Sequence, residues 1–441
     1  MGVVSSKSID HRPPVQRALV VHPAGRSASS RLPEERLEEA VGLAAALDLD
    51  IRGAEVARLR SVTPATLFGR GKVDELAALV RAAEADVVIV DDDITPIQQR
   101  NLEKAWETKV IDRSGLILEI FGRRARTREG RLQVELARLE YERSRLVRTW
   151  THLERQRGGT GSTGGPGETQ IELDRRQIAN RIDTLKAELE EVRRTRALHR
   201  KARKRAPYPA VALVGYTNAG KSTLFNRLTG SEVLAKDLLF ATLDTTQRTI
   251  RLPQGRPAIV ADTVGFISDL PHQLVAAFRA TLEEVGEADL ILHVRDIASS
   301  DSAAQAADVE AVLDRIETPE GKVRRVLEVW NKIDLMSGED REMLDEAAAR
   351  AERLGQAVAV SAWTGEGIER LREMIAAQID DEPESRLTLA PDQGEALAWL
   401  YQHGRVTFRD TDAEGRTHLE VRLAPAQLGR FERQWPGVEL R

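Results

Sequence analysis

Residues 210–223, AVALVGYTNAGKST, decide the fold. The apolar run 210–214 predicts a buried β-strand, and the glycine-rich segment after it, ending in Lys221 and Ser222, is typical of a phosphate-binding loop between a strand and a helix. Backbone N–H groups of such a loop curl around phosphates, the lysine neutralises β and γ oxygens, and the serine hydroxyl ligates magnesium. The residues expected to contact nucleotide here are Gly215, Tyr216, Thr217, Asn218, Ala219, Gly220, Lys221, Ser222 and Thr223.

Two further segments predict a switch that senses the γ-phosphate. The strand 257–261 ends at Asp262-Thr263-Val264-Gly265, where the carboxylate can hold magnesium through water and the glycine N–H can meet the γ-phosphate. Between this motif and the P-loop, Phe240-Ala241-Thr242-Leu243-Asp244 holds the position of a first switch, and the Thr242 hydroxyl would complete the magnesium shell when a γ-phosphate is present. The alternative for Thr242 is a routine threonine on a surface strand. The expected catalytic residues are Lys221, Thr242 and Gly265, and the expected Mg²⁺ ligands are Ser222, Thr242 and, through water, Asp262.

Two later motifs identify the base. The strand 326–330 leads into Asn331-Lys332-Ile333-Asp334, whose last carboxylate can accept from the guanine N1–H and 2-amino group, a donor pair that adenine lacks. The strand 358–360 leads into Ser361-Ala362-Trp363, whose backbone can contact guanine O6. The motifs follow strands in the order of a G protein, so we expect a GTP/GDP site on a Ras-like doubly wound sheet.

Two residues bear on hydrolysis. Phe266 follows the Gly265 of the second switch, where a Ras-like enzyme has a water-orienting glutamine, so intrinsic hydrolysis should be slow until a partner assists. A nucleotide-gated RNA- or protein-binding scaffold with negligible turnover is the alternative that Phe266 favours. Asn218 resembles the asparagine of potassium-stimulated GTPases, in which K⁺ bridges phosphates; a hydrogen bond that stabilises the loop is the other interpretation.

The first 120 residues or so alternate β-branched runs with helical patterns, which predicts a parallel sheet covered by helices. The segment 68–72, FGRGK, places two cations beside glycines. It is either a phosphate-contacting loop, the basis of a third hypothesis of an ATP-driven remodeller, or a turn entering the helix at Val73.

A heptad seam follows from about Gly130, and a second seam with the same spacing starts at Ile178, so the two helices are expected to pair as an antiparallel hairpin. Residues 123–205 carry 23 Lys/Arg and 12 Asp/Glu, a local charge of +11 within a chain of net charge −5. The glycine-rich segment 158–167 predicts a loop at the tip. We expect the hairpin to contact RNA; an interdomain coiled coil with a solvated surface is the alternative. The expected RNA-binding residues are Arg155, Arg157, Gly161, Gly164, Gly165, Gly167, Arg175 and Arg176.

Composition sets the remaining bounds. The 441 residues contain no cysteine, which excludes disulfides and thiolate chemistry, and no apolar run is long enough to span a membrane. We predict an N-terminal α/β domain (1–122), the basic hairpin (123–206), a GTPase domain (207–380) and a small α+β domain (381–441), in an overall α/β multidomain fold.

The motifs together resemble those of the HflX family of translation-factor-related GTPases. GYTNAGKST, FATLD, DTVGF, NKID and SA are similar to that family's GTPase motifs, and GGPGETQ at 164–170 resembles its N-terminal signature. The resemblance implies binding to the large (50S) ribosomal subunit and its rRNA near the peptidyl-transferase region. It implies GTP-dependent splitting or rescue of stalled ribosomes in at least some members, with stress response and biogenesis left open. We therefore expect a cytoplasmic, ribosome-associated monomer that uses Mg²⁺.

Overall fold

The computed structural model describes residues 15–25, 31–150, 170–203, 208–231, 239–240, 245–268, 284–316, 324–379, 384–423 and 425–440. The chain forms two compact units, residues 1–372 and 373–441, which are described separately below. Among the described residues no helix has both the length and the apolar character needed to cross a bilayer.

The first sheet is parallel and has the strand order β2-β1-β3-β4. Its two central strands, β1 and β3, are buried between helices, as the strand-helix alternation predicts, whereas β2 at the edge is only partly buried. The elements are β1 (Arg17–Ala24), α1 (Pro33–Ala45), β2 (Asp50–Arg58), α2 (Arg70–Ala82), β3 (Val87–Val90), α3 (Pro96–Trp106), β4 (Lys109–Asp112) and α4 (Arg113–Arg124).

One boundary in this sheet corrects a sequence expectation. Helix α2 begins at Arg70 with Gly69 as its N-cap, so residues 70–72 form its first turn rather than a loop before it. Lys72 Nζ donates to Glu55 at 3.0 Å and to Glu75 at 2.9 Å. Because two carboxylates of the chain already hold this cation, the structure favours the helix-entry interpretation over a phosphate contact.

The helical hairpin consists of α5 (Arg128–Trp150) and α6 (Gln170–Arg203). Leu132, Leu185 and Leu189 form its buried seam, as the heptad pattern predicts. Arg128, at the start of α5, pairs with Glu188 of α6, whereas Glu135, further along α5, pairs with Arg181, which comes earlier in α6. The helices are therefore antiparallel.

The second sheet has the order β10-β9-β8-β5-β7-β6, in which β6 alone is antiparallel to its neighbour. The carboxyl ends of β5, β7, β9 and β10 lie at one edge, where open α/β sheets bind ligands. The elements are β5 (Ala210–Gly215), α7 (Lys221–Thr229), β6 (Thr246–Arg251), β7 (Pro257–Asp262), β8 (Leu290–Asp296), α8 (Ser302–Leu313), β9 (Val326–Asn331), α9 (Gly338–Arg353), β10 (Ala357–Ala359) and α10 (Ile368–Gln378).

The C-terminal unit is an antiparallel sheet with helices, in the order β12-β13-β11-β14. Phe431, Trp399 and Trp435 pack against one another in its core. The elements are β11 (Glu384–Leu389), α11 (Gly394–His403), β12 (Arg405–Thr411), β13 (Thr417–Arg422), α12 (Pro425–Gln434) and β14 (Glu439–Leu440). The predicted α/β multidomain fold is confirmed.

A single hydrophobic core joins the first sheet to the second within residues 1–372. Phe121 of α4 meets Phe240 edge to face, with ring centroids 4.6 Å apart. Gly42 of α1 approaches Leu239 so closely that a Cβ would lie 3.1 Å from Leu239 Cδ1. The first sheet and its helices α1–α4, called the N-terminal layer below, thus pack directly on the start of the predicted first switch, which sequence patterning does not indicate.

Candidate functional site

The P-loop needs two of its glycines for steric reasons. Gly215 and Gly220 both have positive φ, 152° and 91°. A Cβ would lie 2.2 Å from the Val294 carbonyl oxygen at Gly215 and 2.2 Å from Asn331 Nδ2 at Gly220. Because no side chain fits at either position, the loop can curl tightly between β5 and α7, which leaves the N-terminus of α7 open toward a phosphate.

Lys221 is the first residue of α7 and its side chain is buried. Its Nζ donates to the Tyr216 carbonyl oxygen at 2.7 Å, so the ammonium lies under the loop. Burial lowers the pKa of Lys221 to about 8, and the nearby charge of Asp262 opposes that shift. A phosphate at this place would oppose the shift and raise the pKa of Lys221 again, because a nearby anion favours the charged ammonium.

The predicted magnesium donors meet beside the lysine. Ser222 Oγ donates to Asp262 Oδ2 at 2.8 Å, which brings the end of β7 against the first turn of α7. A hydroxyl and a carboxylate are the hard oxygen donors that Mg²⁺ prefers, so this donor set fits the ion. Ala241, Thr242, Leu243 and Asp244 of the predicted first switch lie outside the described residues, so Thr242 stays a prediction.

The second switch lies directly on the P-loop. The Thr217 N–H donates to the Phe266 carbonyl at 2.7 Å, and the Phe266 N–H donates to the Gly215 carbonyl at 3.1 Å. A Cβ on Gly265 would lie 2.9 Å from Thr217 Cα and 3.0 Å from Lys221 Nζ. The γ-phosphate sensor proposed from sequence therefore lies beside the lysine, while Thr263 and Val264 of the same motif are buried.

The base end of the site is organised by Asn331. Its Nδ2 donates to the Ala219 carbonyl at 2.8 Å and its Oδ1 accepts from the Ala362 N–H at 2.9 Å, so it ties the P-loop to the Ser361-Ala362-Trp363 loop. Lys332 has a φ of 68° and pairs with Asp296 at 2.6 Å. Ile333 and Ser361 are buried.

Two side chains at this end are exposed. The Asp334 carboxylate is solvent-exposed and makes no hydrogen bond or ion pair within the described part of the chain. It is therefore available to a base. Trp363 is 79% exposed.

Sequence reasoning missed Arg227, on α7. Its Nε donates to the Ala362 carbonyl at 3.2 Å and its guanidinium also donates to the Trp363 carbonyl. This arginine fixes the loop that is expected to contact guanine O6. No motif marks it, because the contact joins residues more than 130 positions apart.

Sequence reasoning also missed a buried polar cluster behind the P-loop, formed by Arg31, Glu39, Arg113, Tyr216 and Ser268. The Tyr216 hydroxyl donates to Glu39 and accepts from Arg31 Nη1 at 2.9 Å. Burial and then the charge of Glu39 raise the pKa of that hydroxyl well above its usual value. The predicted nucleotide residue Tyr216 thus directs its hydroxyl to the N-terminal layer.

The remaining predicted residues lie in the P-loop, the first switch and the hairpin. Thr217, Ala219 and Phe240 are buried, Asn218 is exposed with a φ of 60°, and Thr223 lies in α7. The Asn218 side chain makes no hydrogen bond to any described residue, so the loop-stabilising interpretation lacks its bond. Arg175 and Arg176 lie exposed on α6. Arg155, Arg157, Gly161, Gly164, Gly165 and Gly167 lie outside the described residues.

Family models cover most of the chain. They are described as GTP-binding GTPase N-terminal (residues 34–122), GTP-binding GTPase Middle Region (124–203), 50S ribosome-binding GTPase (210–332) and HflX C-terminal domain (346–439). A GTP-binding protein from Sulfolobus solfataricus, solved with GDP, is 25% identical, with a TM-score of 0.45 over 83% of this chain and 99% of that one.

Similar proteins named GTPase HflX match over nearly the full length. The protein of Magnetococcus marinus is 50% identical and covers 94% of each chain. The protein of Escherichia coli is 45% identical over 85% of this chain and 86% of its own. With identities of this size over most of the length, the chain is a GTP-hydrolysing enzyme and belongs to the HflX family of GTPases.

Proposed function

We propose that this GTPase is a factor that binds the large ribosomal subunit through its basic hairpin when GTP is bound, and leaves after hydrolysis. The observation that carries the proposal is that α5 and α6, with a sequence charge of +11 over residues 123–205, belong to the same compact unit as the nucleotide site. A positively charged rod suits the phosphate-rich surface of structured RNA. The matched family description, 50S ribosome-binding GTPase, supports the same partner.

In the nucleotide site, the motifs and the positions of their side chains support the following proposed roles. Lys221 would neutralise the β- and γ-phosphates, Gly265 would donate its N–H to the γ-phosphate, and Asp334 would accept from guanine. Ser222, with Asp262 through water, would hold Mg²⁺, which shields phosphate charge during hydrolysis. Thr242 would join them in the GTP state.

Phe266 is the reason that we expect slow GTP hydrolysis without a partner. It is 6% exposed and holds the place after the sensor glycine, where its apolar ring cannot orient water. We expect unassisted turnover on the order of 10⁻⁴ to 10⁻² per second, as in switch GTPases without a partner. The large subunit would then supply or position the missing group.

The test is GTP turnover by the full chain alone, with purified large subunits and with purified small subunits. We expect large subunits to accelerate hydrolysis by at least a hundredfold, and small subunits to leave the rate unchanged. Turnover that stays at the basal rate with large subunits would overturn the proposal and favour the scaffold that is gated by nucleotide but hardly hydrolyses it.

A second measurement addresses the hairpin. If cations of residues 123–205 meet rRNA phosphates, subunit affinity should fall by roughly 0.7 to 0.9 log units per phosphate contact for each log unit of salt. A flat salt response would contradict RNA binding by the hairpin. Splitting, rescue, stress response and biogenesis would each use this same GTP-dependent binding.

A further inference from the structure

The carboxylate of Glu39, which lies outside the nucleotide-binding sheet, accepts hydrogen bonds from both the P-loop and the segment after the second switch. Glu39 lies on α1, and its Oε2 accepts from the Tyr216 hydroxyl of the P-loop. Its Oε1 accepts from Ser268 Oγ at 3.1 Å, three residues after the sensor Gly265. The Glu39 side chain is 12% exposed, so water competes little for these bonds.

Two arginines of the N-terminal layer fix the orientation of Glu39. Arg113 pairs with Glu39 and donates to Ser268 at 3.1 Å for the carbonyl oxygen and 3.0 Å for Oγ. Arg31 pairs with Glu39 at 3.2 Å. Asp91 also pairs with Arg113 and its carboxylate accepts from His22 Nδ1 at 2.8 Å, so Asp91 and Glu39 balance the two arginines. A planar guanidinium with several partners leaves the carboxylate little freedom.

The Tyr216 hydroxyl makes three hydrogen bonds. It donates to Glu39, and it accepts from Arg31 Nη1 and from the Ser268 N–H, each at 2.9 Å. The backbone of Ser268 is thereby bonded to a P-loop side chain. Removing this oxygen would leave the buried Ser268 N–H without its acceptor, which is costly in a protein interior.

The bonds that join Ser268 to Glu39 and Tyr216 restrict the position of Gly265, three residues earlier. A sensor glycine and the P-loop lysine serve one γ-phosphate, so they must lie side by side, and a Cβ on Gly265 would be 3.0 Å from Lys221 Nζ. Groups that are already in place when the ligand arrives bind it with less ordering cost. GDP has no γ-phosphate and gains nothing from that placement.

We propose that Glu39 is a positioning residue for γ-phosphate recognition, acting through Tyr216 and Ser268 to hold Gly265 beside Lys221. The N-terminal layer then contributes to nucleotide discrimination from behind the P-loop. The inference rests on the roles proposed above for Lys221 and Gly265.

The experiment measures Kd of the full chain for GDP and for the non-hydrolysable analogue GMPPNP, both as fluorescent derivatives with Mg²⁺. Glu39→Gln removes the carboxylate charge and keeps the size of the side chain, and Ser268→Ala removes the hydroxyl that donates to Glu39. We expect each variant to bind GMPPNP about tenfold more weakly, the worth of one hydrogen bond to a charged network, and GDP within about twofold of wild type.

Ser300→Ala is the matched control. Ser300 Oγ donates to Glu35 of the same helix α1 at 2.9 Å, at an exposed place, and among the described residues it forms no hydrogen bond with the P-loop or the second switch. We expect this variant to bind both nucleotides like wild type. Should it lose GMPPNP affinity to the same degree, general loosening of the interface would explain the effect and the inference would fall.

Two results with Glu39→Gln and Ser268→Ala would overturn the inference. Equal loss of GDP and GMPPNP affinity would show a purely structural role, and unchanged or tighter GMPPNP binding would show that the cluster does not favour the γ-phosphate. Wild-type protein that binds neither nucleotide would instead contradict the proposed nucleotide site, so the two failures are distinguishable.

Discussion

Asp112 and Arg113 are neighbours in the chain, yet they bind different parts of the molecule. Asp112 accepts from the Tyr141 hydroxyl and pairs with Arg145, both on the first helix of the hairpin. Arg113 pairs with Glu39 and donates to Ser268, which follows the second switch. One peptide unit, between β4 and α4, therefore connects the helical hairpin to the nucleotide site.

The Asp112 contact should anchor the base of the hairpin. Asp112→Asn removes the carboxylate charge that faces Arg145, whose side chain is only 17% exposed, so the guanidinium would lose its charged acceptor in a partly buried place. We expect the free energy of unfolding to fall by about 3 kcal/mol in urea titrations. Amide hydrogen exchange of residues 128–145 should also become faster.

Arg138→Ala is the control for that variant. Arg138 lies on the same helix and pairs with Glu119 at 2.7 Å, but the two side chains are 51% and 40% exposed. Exposed pairs contribute about 0 to 1 kcal/mol, so stability should hardly change. Equal effects of Asp112→Asn and Arg138→Ala would contradict the anchoring role of Asp112.

Guanine selectivity should depend on Asp334. The exposed carboxylate can accept two N–H groups of guanine, whereas the amide of Asp334→Asn places a donor opposite one of them. We expect GTP affinity to fall at least a hundredfold and affinity for xanthosine triphosphate, which has a carbonyl at that edge, to rise. Competition binding with the two nucleotides measures the change.

Asp340→Asn provides the matched charge change on the exposed first turn of α9, six residues further along the chain. It should leave both affinities unaltered. If Asp334→Asn retains wild-type preference for GTP, the base is recognised elsewhere and the assignment of this carboxylate is wrong.

Asn218 provides a test of potassium dependence. Its exposed side chain makes no hydrogen bond to the described residues, and it lies in the loop that is expected to surround the phosphates. We expect wild-type hydrolysis to be several-fold faster in KCl than in NaCl at equal ionic strength, and Asn218→Ala to be slow in both. Equal wild-type rates in the two salts would leave Asn218 without a role toward a cation.

Local patterns predicted much of this molecule. The phosphate loop, Asp262, Asn331 and the base-contacting loop could be placed because each motif follows a buried strand, and parallel strands bring their carboxyl ends together. The leucine seam of the hairpin could be placed for a similar reason, since its spacing fixes one helix face. These features depend on residues close together in the chain.

The polar cluster behind the P-loop could not be predicted in this way. Glu39 and Ser268 are 229 positions apart, and Glu39 and Tyr216 are 177 apart. Each residue type is ordinary for its element, because a glutamate in a helix or a tyrosine in a loop carries no spacing signal.

Strand β6 (Thr246–Arg251) was missed because its sequence, TQRTIR, is too polar to show alternation of apolar and polar residues.

The most direct test of the whole mechanism is co-sedimentation of the wild-type chain with purified large ribosomal subunits, with GMPPNP and with GDP. If nucleotide state controls the hairpin, the protein should pellet with large subunits in GMPPNP and remain in the supernatant in GDP. Equal pelleting with both nucleotides, or none with either, would contradict GTP-controlled binding to the large subunit.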